Sequence, residues 1–150
     1  MIHQLEHGNS TIAAAILDVQ LPAYRIEAEL LGFDGIPALR DSVADIMACN
    51  ETFVGYRDGE NLLGLIAYEK SGPELDICRL VVHPSAFRRG IATKLLEHVL
   101  EQEAPDRATV STGRENGPAI ALYKRFGFTE KRETEVAPGF FISSLIREMK

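Results

Sequence analysis

The stretch from Ile77 to Glu103 constrains this chain more than any other. A β-branched run, Leu80-Val81-Val82, passes through His83-Pro84-Ser85 and the basic turn Phe87-Arg88-Arg89-Gly90 into residues with helical spacing. Ile91, Leu95 and Val99, and again Ala92, Leu96 and Leu100, share one apolar stripe, while Lys94, Glu97, His98 and Glu101 fall opposite it. Strand, tight turn and helix in that order predict a helix packed back on a sheet. Gly90 and Ala92 put almost no side-chain bulk at the helix start, so the unpaired N–H groups there stay open to a close guest. With the positive end of the helix dipole and the flanking Arg88 and Arg89, those donors suit a phosphate.

The second half repeats the arrangement. Ala108-Thr109-Val110-Ser111-Thr112 reads as a strand, Arg114 to Pro118 as a turn, and Ala119 to Phe126 as a helix closed by Gly127. Three stretches together resemble the GNAT superfamily of acyl-CoA-dependent N-acetyltransferases: Leu80-Val81-Val82-His83-Pro84, Arg88-Arg89-Gly90-Ile91-Ala92, and Asn116-Gly117-Pro118-Ala119-Ile120-Ala121-Leu122-Tyr123-Lys124-Arg125-Phe126-Gly127-Phe128. The resemblance spans Asp76 to Phe128 closely and the remainder loosely.

That resemblance implies acetyl-CoA as the cofactor, with the pyrophosphate on Arg88, Arg89, Gly90, Ile91, Ala92 and Thr93. The family pattern Gln/Arg-x-x-Gly-x-Gly/Ala falls on Phe87 to Ala92; Gly90 and Ala92 match it, and Phe87 departs from it. It also implies a β-bulge near Leu80, Val81 and Val82 that offers amides to the thioester carbonyl, and Asn116, Ala119 and Tyr123 beside the cofactor. Tyr123 becomes the acid that protonates the departing thiolate. On spacing alone Tyr123 belongs to a buried stripe with Ala119, Leu122 and Phe126, and Asn116 is an N-cap.

At 150 residues the chain is one domain with room for a core that needs no staples. The 45% hydrophobic and 25% charged content is that of an ordinary globular protein, and no apolar run approaches the roughly 20 residues that span a bilayer. No basic-then-apolar leader opens the sequence. Cys49 and Cys78 are too few for a disulfide framework, so a reducing, cytoplasmic setting is the expectation. His3, His7, His83 and His98 lack ligand spacing, which argues against a metal. A formal net charge of −6 argues against nucleic acid and suits a cationic amine. Neither Gly-x-x-x-x-Gly-Lys nor Gly-x-Gly-x-x-Gly occurs, which disfavours nucleotide hydrolysis and dinucleotide redox chemistry.

Taken in order, the chain reads as a short strand from Ile2 to Glu6, then a helix capped by Ser10 and interrupted or kinked at Pro22. Tyr24 to Leu31 resumes the helix, Gly32 to Pro37 is a loop, and Leu39 to Cys49 is a second helix. Thr52 to Arg57 and Leu62 to Glu69 form a hairpin about Asp58-Gly59-Glu60-Asn61, and Glu74 to His83 adds a third antiparallel strand. Thr129 to Val136 and Phe140 to Glu148 close the chain as strands turning at Ala137-Pro138-Gly139. The fold class is α/β: a single GNAT-like domain with a mixed, mostly antiparallel sheet, a parallel central pair where strands four and five meet, and helices on both faces.

Acetyl transfer needs a deprotonated amine, a polarised carbonyl and a proton for the thiolate. The resemblance assigns the acceptor wall to the first helical region, with Tyr24, Glu29, Phe33 and Asp34 as substrate contacts. Asp76 lies near the position where some members carry a glutamate base; Glu69 and Glu74 are neighbouring alternatives, and other members pass the proton to water. A Cys78 acyl-enzyme lacks a partner base in the sequence. The reading is direct transfer of acetyl to a primary amine of a small molecule. An acyl-CoA-binding sensor without catalysis, or an acetyltransferase of protein N-termini or lysines, is the alternative. A homodimer with Phe140-Phe141-Ile142 at its seam completes these expectations.

Overall fold

The computed structural model describes residues 1–148. Seven strands form one sheet in the order β1-β2-β3-β4-β5-β7-β6. β1 (Ile2–Leu5), β2 (Thr52–Asp58), β3 (Asn61–Ser71) and β4 (Glu74–Val82) pair antiparallel in that order. β5 (Arg107–Gly113) joins β4 in parallel, and β7 (Phe140–Glu148) inserts between β5 and β6 (Thr129–Ala137). The mixed sheet with one parallel pair is as expected; the insertion of β7 is a register that local patterns do not specify.

α1 (Ser10–Leu31) and α2 (Val43–Ala48) cover one face of the sheet, packing on Leu5, Phe53, Leu65, Ala67 and Val81. α3 (Ile91–Glu103) and α4 (Gly117–Arg125) cover the other, around Ile66, Leu75, Ile77, Val110 and Leu145. Alternation along β4 produces this split: Leu75 and Ile77 are buried while Glu74 and Asp76 are exposed.

Four local expectations are corrected. α1 runs unbroken through Pro22 for 22 residues, capped by Asn9, whose side chain accepts from the N–H groups of Thr11 and Ile12, and not by Ser10. A mid-helix proline costs about 3 kcal/mol. Here Val19, Gln20, Ala23 and Tyr24 are buried on both sides of Pro22, and their packing holds the helix together.

The expected helix from Leu39 to Cys49 divides into a 3-10 turn, Pro37–Arg40, and α2. Ser42 and Asp45 form a reciprocal capping box between them and restart the helix. The bulge in β4 also lies earlier than expected. Ala67 faces Arg79 and Tyr68 faces Ile77, so Cys78 is the extra residue, two positions before Leu80.

A split in the sheet positions the site. β4 and β5 pair only from Glu74–Arg107 to Ile77–Val110, after which the strands diverge. Cys78 to Val82 and Ser111 to Gly113 therefore face a gap in place of each other.

Candidate active site

The turn after β4 is built as the sequence implies, with a different emphasis. Gly90 is the N-cap of α3 at φ 75°, and a Cβ placed there would meet nothing within 4 Å. Backbone conformation, more than space, reserves this position for glycine. Arg88 is also left-handed, at φ 66°, which costs a non-glycine residue about 1–2 kcal/mol. Strain of this kind collects where main-chain donors must be aimed. Arg89 reaches Asp58 at 3.8 Å on an exposed surface, and Arg88 makes no ion pair among the described residues.

A cavity of about 600 Å³ extends from this turn. Leu80, Val81, Val82, Arg88, Gly90, Ile91, Ala92, Thr93, Asn116, Ala119 and Tyr123 all line it, so the expected cofactor residues, Arg89 excepted, converge on one space. Asn116 is the cap of α4: its Oδ1 accepts from the Ala119 N–H at 3.3 Å, and its Nδ2 donates to Thr112 Oγ1 at 3.3 Å. Phe87 is 45% exposed on the cavity rim, flanked there by Ile26 and Leu30 of α1.

A second cavity, about 550 Å³, lies between the end of α1, the loop after it and β7. Tyr24 and Phe33 line it; Glu29 and Asp34 are exposed and do not. Its apolar wall includes Leu31, Ile36, Phe140 and Ile142, with the rings of Phe33 and Phe140 stacked. Its floor is charged. Arg79 donates through Nε and Nη2 to the two Glu51 oxygens, at 2.8 and 3.2 Å, and through Nη1 to Asp41 at 2.7 Å and Gln20 at 2.8 Å. Burial opposes its charge, yet the carboxylates more than offset that and raise its pKa.

A third space of about 70 Å³, the passage, lies where β4 and β5 part and shares lining residues with both cavities. Tyr24, Glu27, Cys78, Leu80, Asn116 and Tyr123 line it. Burial, with a smaller contribution from Glu27, pushes the Tyr123 hydroxyl well above the usual tyrosine range. Burial and Glu27 do the same to Tyr24. The Cys78 thiol is pushed up to about 12 by burial and by the charges of Glu51, Asp76 and Glu69, which keeps it protonated and unreactive.

Glu27 is the residue that sequence reasoning missed. It lines both cavities and the passage, and burial raises its carboxyl pKa. Tyr24, Glu27 and Leu31 share one face of the helix that follows Pro22, a spacing that could have found it. Asp76, by contrast, is exposed, accepts a 2.7 Å hydrogen bond from the Thr109 hydroxyl and lines none of these spaces.

Residues 49–130 match the family described as the Acetyltransferase (GNAT) domain, and the chain belongs to that family. It is 47% identical over 144 residues to the UPF0157 protein YqkA of Bacillus subtilis (strain 168); the match takes in 95% of this chain and 42% of that protein. The chain thus spans about two-fifths of its curated relative. Among solved structures, the ribosomal-protein-S18-alanine N-acetyltransferase of Escherichia coli superposes with TM-score 0.80 at 16% identity, over 100% of this chain and 94% of that one. The PaiA N-acetyltransferase of Thermoplasma acidophilum, in complex with coenzyme A, superposes with TM-score 0.77 at 15% identity, over 99% and 98%. The family's cosubstrate is acetyl-CoA, and structures of this fold hold CoA or acetyl-CoA. The larger cavity suits that molecule: its mouth is cationic and rich in main-chain donors, and its body is mostly apolar.

Proposed function

We propose that the protein is an N-acetyltransferase that moves the acetyl group of acetyl-CoA directly to a primary amine of a small molecule. The observation that carries this reading is the passage between the two cavities. One side offers a phosphate-binding turn and the other an acidic floor, and Tyr123 stands at the junction.

The chain's own residues divide the work. Main-chain donors at Gly90 to Thr93, with Arg88, hold the pyrophosphate. Leu80 and its neighbours, released from pairing with β5, offer donors beside the passage where a thioester oxygen gains charge. The amine attacks the carbonyl carbon; the C–N bond forms, the C–S bond breaks, the thiolate takes a proton from Tyr123, and the proton that the nitrogen sheds restores the Tyr123 hydroxyl. Burial keeps Tyr123 protonated and also makes it a weaker acid, so the transfer depends on the thiolate emerging beside the hydroxyl in a space that leaves the thiolate equally poor in solvent.

Calorimetric titration with acetyl-CoA, followed by thiol release across an amine panel, tests the proposal. Binding with release on an amine supports it. Absence of acetyl-CoA binding, or binding with no release on any amine, overturns it.

A further inference from the structure

We infer that the second cavity takes a primary amine on an apolar, ring-sized body without a carboxylate, and that Glu27 receives its ammonium at the passage. This deepens the transferase reading and rests on it.

The body follows from the wall. Leu31, Ile36, Phe140 and Ile142 form an apolar surface, and Phe33 and Phe140 stack with planes 9° apart. A volume near 550 Å³ holds a compact molecule and little more. A polyamine with one nitrogen at Glu27 would lay its second charge along this apolar surface, and the remaining carboxylates, Asp41 and Glu51, are already held by Arg79.

The charge follows from the lining. Glu27, Asp41 and Glu51 stand against a single cation, Arg79. That guanidinium is already committed to Glu51, Asp41 and Gln20, with its side chain only 12% exposed. A substrate carboxylate would have no free partner and would meet three more of its own sign. An ammonium, in contrast, adds a cation to a site with an excess of carboxylate.

The position of the nitrogen follows from Glu27. Of the three carboxylates it alone lines both cavities and the passage, and it makes no ion pair among the described residues. Burial holds its carboxyl above the ordinary value, so it is a stronger base than an exposed glutamate. It can accept one proton from R–NH3⁺, leaving R–NH2 to attack the acetyl carbonyl carbon. The balance is R–NH3⁺ plus acetyl-S-CoA giving R–NH–acetyl, CoA-SH and one proton.

The test compares 2-phenylethylamine, phenylalanine, spermidine and a tripeptide with a free N-terminus. Each is titrated into protein saturated with CoA, and each is assayed for thiol release with acetyl-CoA. Phenylethylamine is expected to bind at least roughly tenfold more tightly than the others. Glu27→Gln should weaken that binding by about tenfold and abolish the acid limb of the kcat/KM profile, with thermal unfolding as the measure of folding. Phe140→Ala should weaken it severalfold by an independent route. Equal or tighter binding of phenylalanine, spermidine or the tripeptide overturns the inference, as does unchanged binding in Glu27→Gln. Selective amine binding without thiol release would retain the inference about the pocket and overturn the transferase reading.

Discussion

Arg79 and Glu51 meet face to face, guanidinium to carboxylate, through two hydrogen bonds of 2.8 and 3.2 Å. Arg79 is the residue after the bulge in β4, and Glu51 stands just before β2. One ion pair therefore ties the irregular segment of the central strand to the sheet and, through Asp41 and Gln20, to the loop and α1.

Arg79→Ala should be among the most damaging substitutions outside the apolar core. It leaves Asp41 and Glu51, with side chains 20% and 15% exposed, without their cation and unloads the ring of Phe53 beneath the guanidinium. Removing one partner of a buried pair costs about 3–5 kcal/mol, and partial exposure here brings that to roughly 2–3. Denaturant unfolding at neutral pH measures it.

Gly90→Ala isolates the turn that opens α3. A methyl group at this position meets no atom, so the penalty is the left-handed backbone alone, about 1 kcal/mol of stability. If the turn relaxes to relieve it, the donors at the start of α3 move, and the Kd for CoA rises by about tenfold. Calorimetry with CoA and thermal unfolding separate the two effects.

Tyr123→Phe should retain acetyl-CoA binding and lower kcat by about 10²-fold. The edge contact of its ring with Phe128, at 5.5 Å, survives the change. Because burial lifts the wild-type hydroxyl above the ordinary tyrosine range, the enzyme should show no alkaline loss at the usual tyrosine pKa near 10. A kcat–pH profile on both proteins checks each point.

Glu27→Gln should stabilise the fold as it impairs the site. Burial raises the carboxyl pKa in the folded chain above its unfolded value. The stability this group contributes is thus fully present below the unfolded pKa and is lost as pH rises through the folded one. Glutamine removes that loss, so its Tm advantage should be present at pH 7 to 8 and shrink toward pH 4. Thermal unfolding across that range measures it.

Much of this site was legible in local chemistry. The turn from Val82 to Gly90, the stripe on α3 and the Asn116 cap each depend on residues within a turn or two of one another, and their patterns are strong. Glu27 is not legible locally because the spaces it lines form only where β4 and β5 part, far along the chain from α1. Asp76 drew notice by its place on β4, while alternation turned it away toward Thr109. The displaced bulge at Cys78 and the placement of β7 are matters of long-range register, which neither periodicity nor propensity encodes.

The divergence of β4 and β5 after Ile77 and Val110 has a mechanical meaning as well as a chemical one. The first four strands and the last three are bonded to each other across a short seam, and beyond it the sheet is an open fork. A ligand lodged in that fork bridges both prongs and supplies cohesion that the backbone has forgone. At a hundredfold excess over its Kd it would add about 2.7 kcal/mol to the stability of the whole domain. Occupancy and structural integrity are in this way a single quantity, and the free protein is most vulnerable along the line where it works.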